Sequence, residues 1–133
     1  MIGLYDNDVL LKQMKSEDKL SEALPVMLDE ILKQYKLSRL VYANGPGSYM
    51  GIKISYLSLK TLSIVFDIPL FAISAFELNE NAPIKANKDL SFVMENGKIS
   101  LQKLPCGEFF LPADLKALNL KEDNLPFYFL DAV

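Results

Sequence analysis

Asn44-Gly45-Pro46-Gly47-Ser48-Tyr49-Met50-Gly51-Ile52-Lys53 is the stretch that decides the fold. The apolar run Leu40-Val41-Tyr42-Ala43 leads into it, and a long apolar segment, residues 54–66, leads out. That is the outline of a buried strand, a tight turn and a helix. Gly45 and Gly47 read as positions whose backbone shape side chains forbid. Pro46 fixes one φ angle between them. Ser48 is placed to cap the helix by accepting from an exposed backbone N–H.

The helix is expected over residues 49–66. At about 100° per residue, Gly51, Ser55 and Ser58 fall on one line. Met50, Ile54, Leu57 and Ile64 flank that line on one side, and Ile52, Tyr56, Leu59 and Phe66 on the other. Lys53 and Lys60 form a narrow opposite stripe and read as solvated. A helix apolar nearly all round needs burial on more than one side. One side can pack on the domain's own sheet, while the other needs a second helix from this chain or a partner. The small residues permit close backbone approach.

Upstream, Ile2-Gly3-Leu4-Tyr5, the turn residues Asp6-Asn7-Asp8 and Val9-Leu10-Leu11 read as a hairpin over about residues 2–14. Ser16-Glu17-Asp18 reads as the start of a helix running to about residue 35. Its stripe of Leu20, Leu24, Met27, Leu28, Ile31 and Tyr35 fits a core face or a partner-facing one. Pro25 lies inside that pattern and is expected to kink the helix or start its second part.

Downstream, Asp67-Ile68-Pro69 ends the second helix. Leu70-Phe71-Ala72-Ile73 reads as a strand, and Ser74 as the cap of a short helix. Residues 79–88 are polar and read as a linker. Asn96-Gly97 between apolar runs is a strong hairpin signal. Phe109-Phe110-Leu111 and Phe127-Tyr128-Phe129-Leu130 read as further strands, and residues 113–120 as one or two helical turns. The organisation is therefore an α/β fold, a mixed sheet with flanking helices over residues 1–78. A linker follows at 79–88, then a small β-rich part at 89–133.

Composition limits the chemistry. The 133 residues, half of them hydrophobic, suffice for one core. The net charge is −3, with Arg39 the sole arginine, which opposes direct nucleic-acid binding. Histidine is absent, removing the commonest general base and zinc ligand. Ser48 and Cys106 are candidate nucleophiles without a histidine to activate them. Cys106, the single cysteine, excludes an intrachain disulfide and reads as a free thiol. Asp6, Asp8, Glu22 and Asp29 read as solvated. No apolar run approaches the roughly 20 residues needed to span a bilayer. The expectation is a cytoplasmic protein with no membrane contact, no cofactor, no metal and no catalytic residue of its own. Two readings of the turn stand: a cradle for an anion at the helix start, or a structural turn joining strand to helix. Its spacing matches neither the dinucleotide fingerprint nor the Walker loop.

The segment Gly45-Pro46-Gly47-Ser48-Tyr49-Met50-Gly51-Ile52-Lys53 resembles the Gly-Pro-Gly-Ser-Phe-Thr-Gly-Leu-Arg motif of the TsaB (YeaZ-like) family. Leu20-Ser21-Glu22-Ala23-Leu24-Pro25 is similar to that family's His-Ser-Glu-x-Leu-x-Pro helix. Lys60-Thr61-Leu62 and Ile68-Pro69-Leu70 with Ile73-Ser74-Ala75 resemble further family stretches. The resemblance covers about residues 2–78. Met50, Lys53 and Leu20 depart from the family's threonine, arginine and histidine.

The resemblance implies a reduced member of a fold related to actin-like and sugar-kinase ATPases. It implies a non-catalytic scaffold that binds a TsaD-like enzyme forming N6-threonylcarbamoyladenosine at position 37 of tRNA. A TsaE-like ATPase would join, a homodimer would form when the chain is alone, and tRNA would be met only indirectly. The family's first strand, which carries Ile-Asp-Thr, precedes the point at which this sequence begins, so the sheet is expected to be one strand short. The interface expected on the two helices comprises Leu24, Met27, Ile31, Met50, Gly51, Ile54, Ser55, Leu57, Ser58 and Leu62. The turn and cap comprise Gly45, Pro46, Gly47, Ser48 and Gly51. A nucleotide-binding or peptidase-type enzyme using the glycine loop, or a self-associating structural protein, are the alternatives.

Overall fold

A computed structural model describes residues 1–15, 19–86, 89–115, 118, 120 and 125–126. The chain opens with a hairpin of β1 (Ile2–Asp6) and β2 (Val9–Met14). Asn7 and Asp8 form its two-residue turn, both at positive φ (51° and 67°). Asn and Asp tolerate that region through local hydrogen bonds, and the primed turn matches the strands' twist. The register runs from Ile2 opposite Met14 to Asp6 opposite Val9, with a bulge between Leu4 and Tyr5.

Helix α1 (Leu20–Gln34) starts after Lys19, which makes no side-chain cap. The expected cap at Ser16-Glu17-Asp18 lies outside the described residues. Pro25 sits inside the first two turns and the helix runs through it. Leu24 and Ile31, seven residues apart and so nearly in line, are buried.

β3 (Leu40–Ala43), α2 (Tyr49–Phe66) and β4 (Leu70–Ile73) form a βαβ unit, the two strands parallel with Leu40 opposite Leu70 and Ala43 opposite Ile73. Alternate residues Leu40, Tyr42, Leu70 and Ala72 are buried on one face of the pair. Tyr56, Leu59 and Leu62 of α2 pack against them. Tyr42 and Tyr56 meet with ring centroids 5.8 Å apart. Asp67, in the left-handed region, ends α2 and donates its N–H to Ser63 O.

A one-turn 3₁₀ helix (Ala75–Leu78) follows, capped by Ser74, whose Oγ accepts from Phe76 N at 3.3 Å. β5 (Ile84–Lys85), β6 (Ser91–Glu95) and β7 (Lys98–Gln102) make a three-stranded antiparallel sheet. Asn96 and Gly97 turn β6 into β7 at positive φ, as their sequence demands. A second core gathers Ala75, Phe76, Ile84 and Phe92.

The class is mixed α/β, as the sequence indicates. Four details differ. Among the described residues the strands within residues 1–78 fall into two sheets, β1–β2 and β3–β4, rather than one mixed sheet, while β6 and β7 lie in the part expected to be β-rich. Within residues 79–88, expected as a linker, Asn79 is buried and Ile84 is buried in β5. Phe109-Phe110-Leu111 is not a strand: Phe110 N–H donates to Leu78 O, and both phenylalanines stay exposed. Residues 113–115 are not helical either. Asp114 bridges to Val9, because Leu10 N–H and Ala113 O pair at 2.8 Å and hold this stretch extended along β2. Phe127-Tyr128-Phe129-Leu130 lies outside the described residues.

Candidate functional site

The glycine turn is built as a connector. Gly45 has φ 118°, which only glycine adopts readily, and its carbonyl accepts from Ala75 N at 3.0 Å. The Gly45–Pro46 peptide is cis, and both residues are buried. Gly47 differs from the expectation: its φ lies outside the left-handed region, and an added Cβ would meet Ile52 Cδ1 at an ordinary 3.9 Å. Ser48 caps α2 as expected, its Oγ accepting from Gly51 N at 3.2 Å while its carbonyl accepts from Ile52 N at 2.9 Å. The cap thus satisfies one backbone donor, Gly51 N, that an anion at the helix start would otherwise meet. Lys53 lies over the Tyr49 ring at 6.0 Å.

α2 presents two different faces. Ile52 is its one buried residue, and with Tyr56, Leu59 and Leu62 it faces the chain's own core. Met50, Leu57 and Ile64 are 55%, 52% and 70% exposed. Their spacing of seven stacks them on one outer line. Val65 and Phe66 extend the exposed apolar surface at the C-terminal end. Lys53 and Thr61 are exposed between them.

The expected interface residues therefore separate. Leu24 and Ile31 are buried within the chain at 5% and 6%, packed into its own core. Ser55 lines an open cavity together with Leu24, Met27 and Ile31, which turns it toward α1. Leu62 packs on the β3–β4 core. Met27, Gly51, Ile54 and Ser58 are half-buried, and Met50 and Leu57 remain open. Ile64, which shares their line, belongs with the open set. The seven-residue spacing from Leu57 carried that signal.

Away from α2, Arg39 pairs with Asp8 and stands over the Phe71 ring at 5.9 Å, tying the hairpin turn to the β3–β4 pair. Tyr5 Oη donates to Pro112 O at 2.6 Å, and burial pushes its phenol pKa above the ordinary value. On α1, Lys33 and Asp29 form an exposed ion pair at 2.9 Å, and that hydrogen bond raises the lysine's pKa. Cys106 is an exposed free thiol. Among the described residues no group of three or more His, Cys, Asp and Glu side chains is placed to hold a metal ion. No described helix is long and apolar enough to cross a membrane.

Residues 14–95 match the family model described as TsaD, tRNA N6-adenosine threonylcarbamoyltransferase. Over 41 residues, 31% of this chain and 18% of the relative, the sequence is 49% identical to the tRNA threonylcarbamoyladenosine biosynthesis protein TsaB of Bacillus subtilis (strain 168). Among solved structures, YeaZ from Pseudomonas aeruginosa aligns with TM-score 0.48 and 18% identity, over 81% of this chain and 54% of that one. An uncharacterized Pseudomonas aeruginosa protein with similarity to peptidase YeaZ aligns with TM-score 0.47 and 18% identity, over 82% of this chain and 65% of that one. This chain thus spans only part of the length of each.

Proposed function

The chain belongs to the TsaD family described as tRNA N6-adenosine threonylcarbamoyltransferase, as a TsaB/YeaZ-like member, and on that premise we propose that it is a non-catalytic subunit of N6-threonylcarbamoyladenosine formation. Its role is to bind and hold a TsaD-like catalytic partner through the outer face of α2. The observation that carries this reading is the exposed line Met50, Leu57 and Ile64 on a helix whose other side is already packed on the core. Three large apolar side chains in one line form the centre of a helix-in-groove or helix-on-helix contact. Gly51, half-buried beside Met50, permits a close approach at the N-terminal end.

The rest of the chain supports an accessory role. It has no histidine, and Ser48, the one hydroxyl in the glycine turn, is engaged as a helix cap. The net charge of −3 fits a protein that meets tRNA only through its partner. In the absence of that partner the same α2 face pairs with its copy in a homodimer, and a TsaE-like ATPase joins the assembled pair. The setting is the cytoplasm, where both tRNA and the modifying enzyme work.

Sedimentation velocity of the chain alone and mixed with a purified TsaD-like subunit tests this. A heterodimer that forms at the expense of the homodimer is expected. A homodimer that persists unchanged in the mixture would leave a self-associating structural protein instead.

A further inference from the structure

Asparagine followed by glycine occurs at Asn44-Gly45 and at Asn96-Gly97. Glycine has no Cβ to screen its backbone nitrogen from the preceding side chain. The fold treats the two pairs differently. Asn44 N–H donates to Ile73 O at 3.0 Å, and its Nδ2 donates to Leu125 O at 3.3 Å. Gly45 beside it is buried, with its carbonyl accepting from Ala75 N at 3.0 Å. Asn96-Gly97 is instead the tip of the β6–β7 hairpin. Residues 95–98 are all exposed, and a Cβ added at Gly97 would meet nothing within 4 Å. Glu95 pairs with Lys98, so the Gly97 N–H lies inside the two-residue turn and outside the ladder. Asn96 has φ 50°, a region asparagine adopts because its short amide reaches the neighbouring backbone.

We propose that Asn96 is a site of spontaneous covalent modification, in which the backbone nitrogen of Gly97 closes on the Asn96 side chain and the amide is lost as ammonia. The Gly97 nitrogen gives its proton to solvent as it bonds to Cγ of Asn96. The Cγ–Nδ2 bond breaks, and Nδ2 takes a proton from solvent and leaves. The product is a cyclic imide, which one water opens at either carbonyl. Opening at Cγ gives aspartate. Opening at the main-chain carbonyl gives isoaspartate, with the chain routed through the former side chain. Aspartate keeps the turn, because it also tolerates the left-handed region. Isoaspartate adds a methylene to the main chain, so the two-residue closure no longer fits and the Glu95–Lys98 pairing is lost. The far end of the hairpin, where buried Phe92 lies opposite Leu101, keeps its packing. Either product adds negative charge to a chain already at −3. The inference rests on the exposed turn, and it stands whether or not α2 binds a partner.

Peptide mapping by mass spectrometry, on the full chain held folded at mildly alkaline pH, tests it. The peptide holding Asn96 is expected to gain the mass of amide-to-acid exchange at least about tenfold faster than the one holding Asn44, which must open locally before it can react. Chromatography is expected to separate its product into aspartate and isoaspartate forms of equal mass. In denaturant the two rates are expected to converge, because a glycine follows both asparagines. Asn96→Asp, which suits the same turn and has no amide to lose, is expected to abolish the mass gain in its peptide. Equal rates at the two sites in the folded chain would overturn the proposal, as would a difference that persists unchanged in denaturant. Conversion of Asn96 to aspartate alone would also overturn it, by assigning the loss to direct hydrolysis without the imide.

Discussion

The two helices use their apolar sequence in opposite ways. α1 turns Leu24 and Ile31 into the core and gives its outer face to groups such as the Asp29–Lys33 pair. α2 buries only Ile52 fully and leaves Met50, Leu57 and Ile64 in solvent. The fold consumes the stripe of α1. Among the described residues it leaves the Met50, Leu57 and Ile64 line of α2 unpacked, and such an exposed apolar face is where an interaction is to be sought.

The largest test of that contrast is Ile31→Ala. Removing a buried branched side chain is expected to lower unfolding stability by about 2–5 kcal/mol, read by denaturant titration. A loss below 1 kcal/mol would mean that α1 is not a core helix. Next is the start of α2. Ser48→Ala removes the oxygen that accepts from Gly51 N and is expected to cost about 1 kcal/mol. Ser48→Asn, which keeps an acceptor, should restore most of it. The third is Leu57→Asp on the open face. At a site 52% exposed it is expected to leave stability within about 0.5 kcal/mol of the parent.

The smallest effect lies away from both helices. Burial raises the Tyr5 pKa above its ordinary 10.0, so the folded state holds the phenol proton more tightly than the unfolded chain. Its contribution to stability is intact below that ordinary value and is lost as pH rises through the raised one. Tyr5→Phe should flatten this alkaline limb of a pH–stability curve and leave partner binding unchanged.

Much of this contrast is legible in the residues. The bounds of α2 follow from Ser48 at one end and Asp67-Ile68-Pro69 at the other, and the hairpin turns follow from Asn7-Asp8 and Asn96-Gly97. These are local effects, settled within a few residues. What the sequence does not say is which side of α2 faces inward. Ile52 and Met50 are equally apolar, and the choice depends on Leu40 and Tyr42, whose strand meets the helix only in the folded chain. The stripe of Leu24 and Ile31 is likewise compatible with a core or a partner until the sheet is in place. Gly47 looks obligatory beside Gly45, yet only Gly45 takes a positive φ. Phe109-Phe110-Leu111 has strand composition but, among the described residues, makes only the Phe110 backbone bond to Leu78, and composition cannot supply a neighbouring strand.

The central claim is that the outer face of α2 holds a TsaD-like subunit. Its most direct test is the dissociation constant for that subunit, measured by titration calorimetry with the parent chain and with Leu57→Asp. The account predicts binding at least ~30-fold weaker for the variant, the scale of a hot-spot loss, with its unfolding curve unchanged. Equal affinity for the two chains would contradict it.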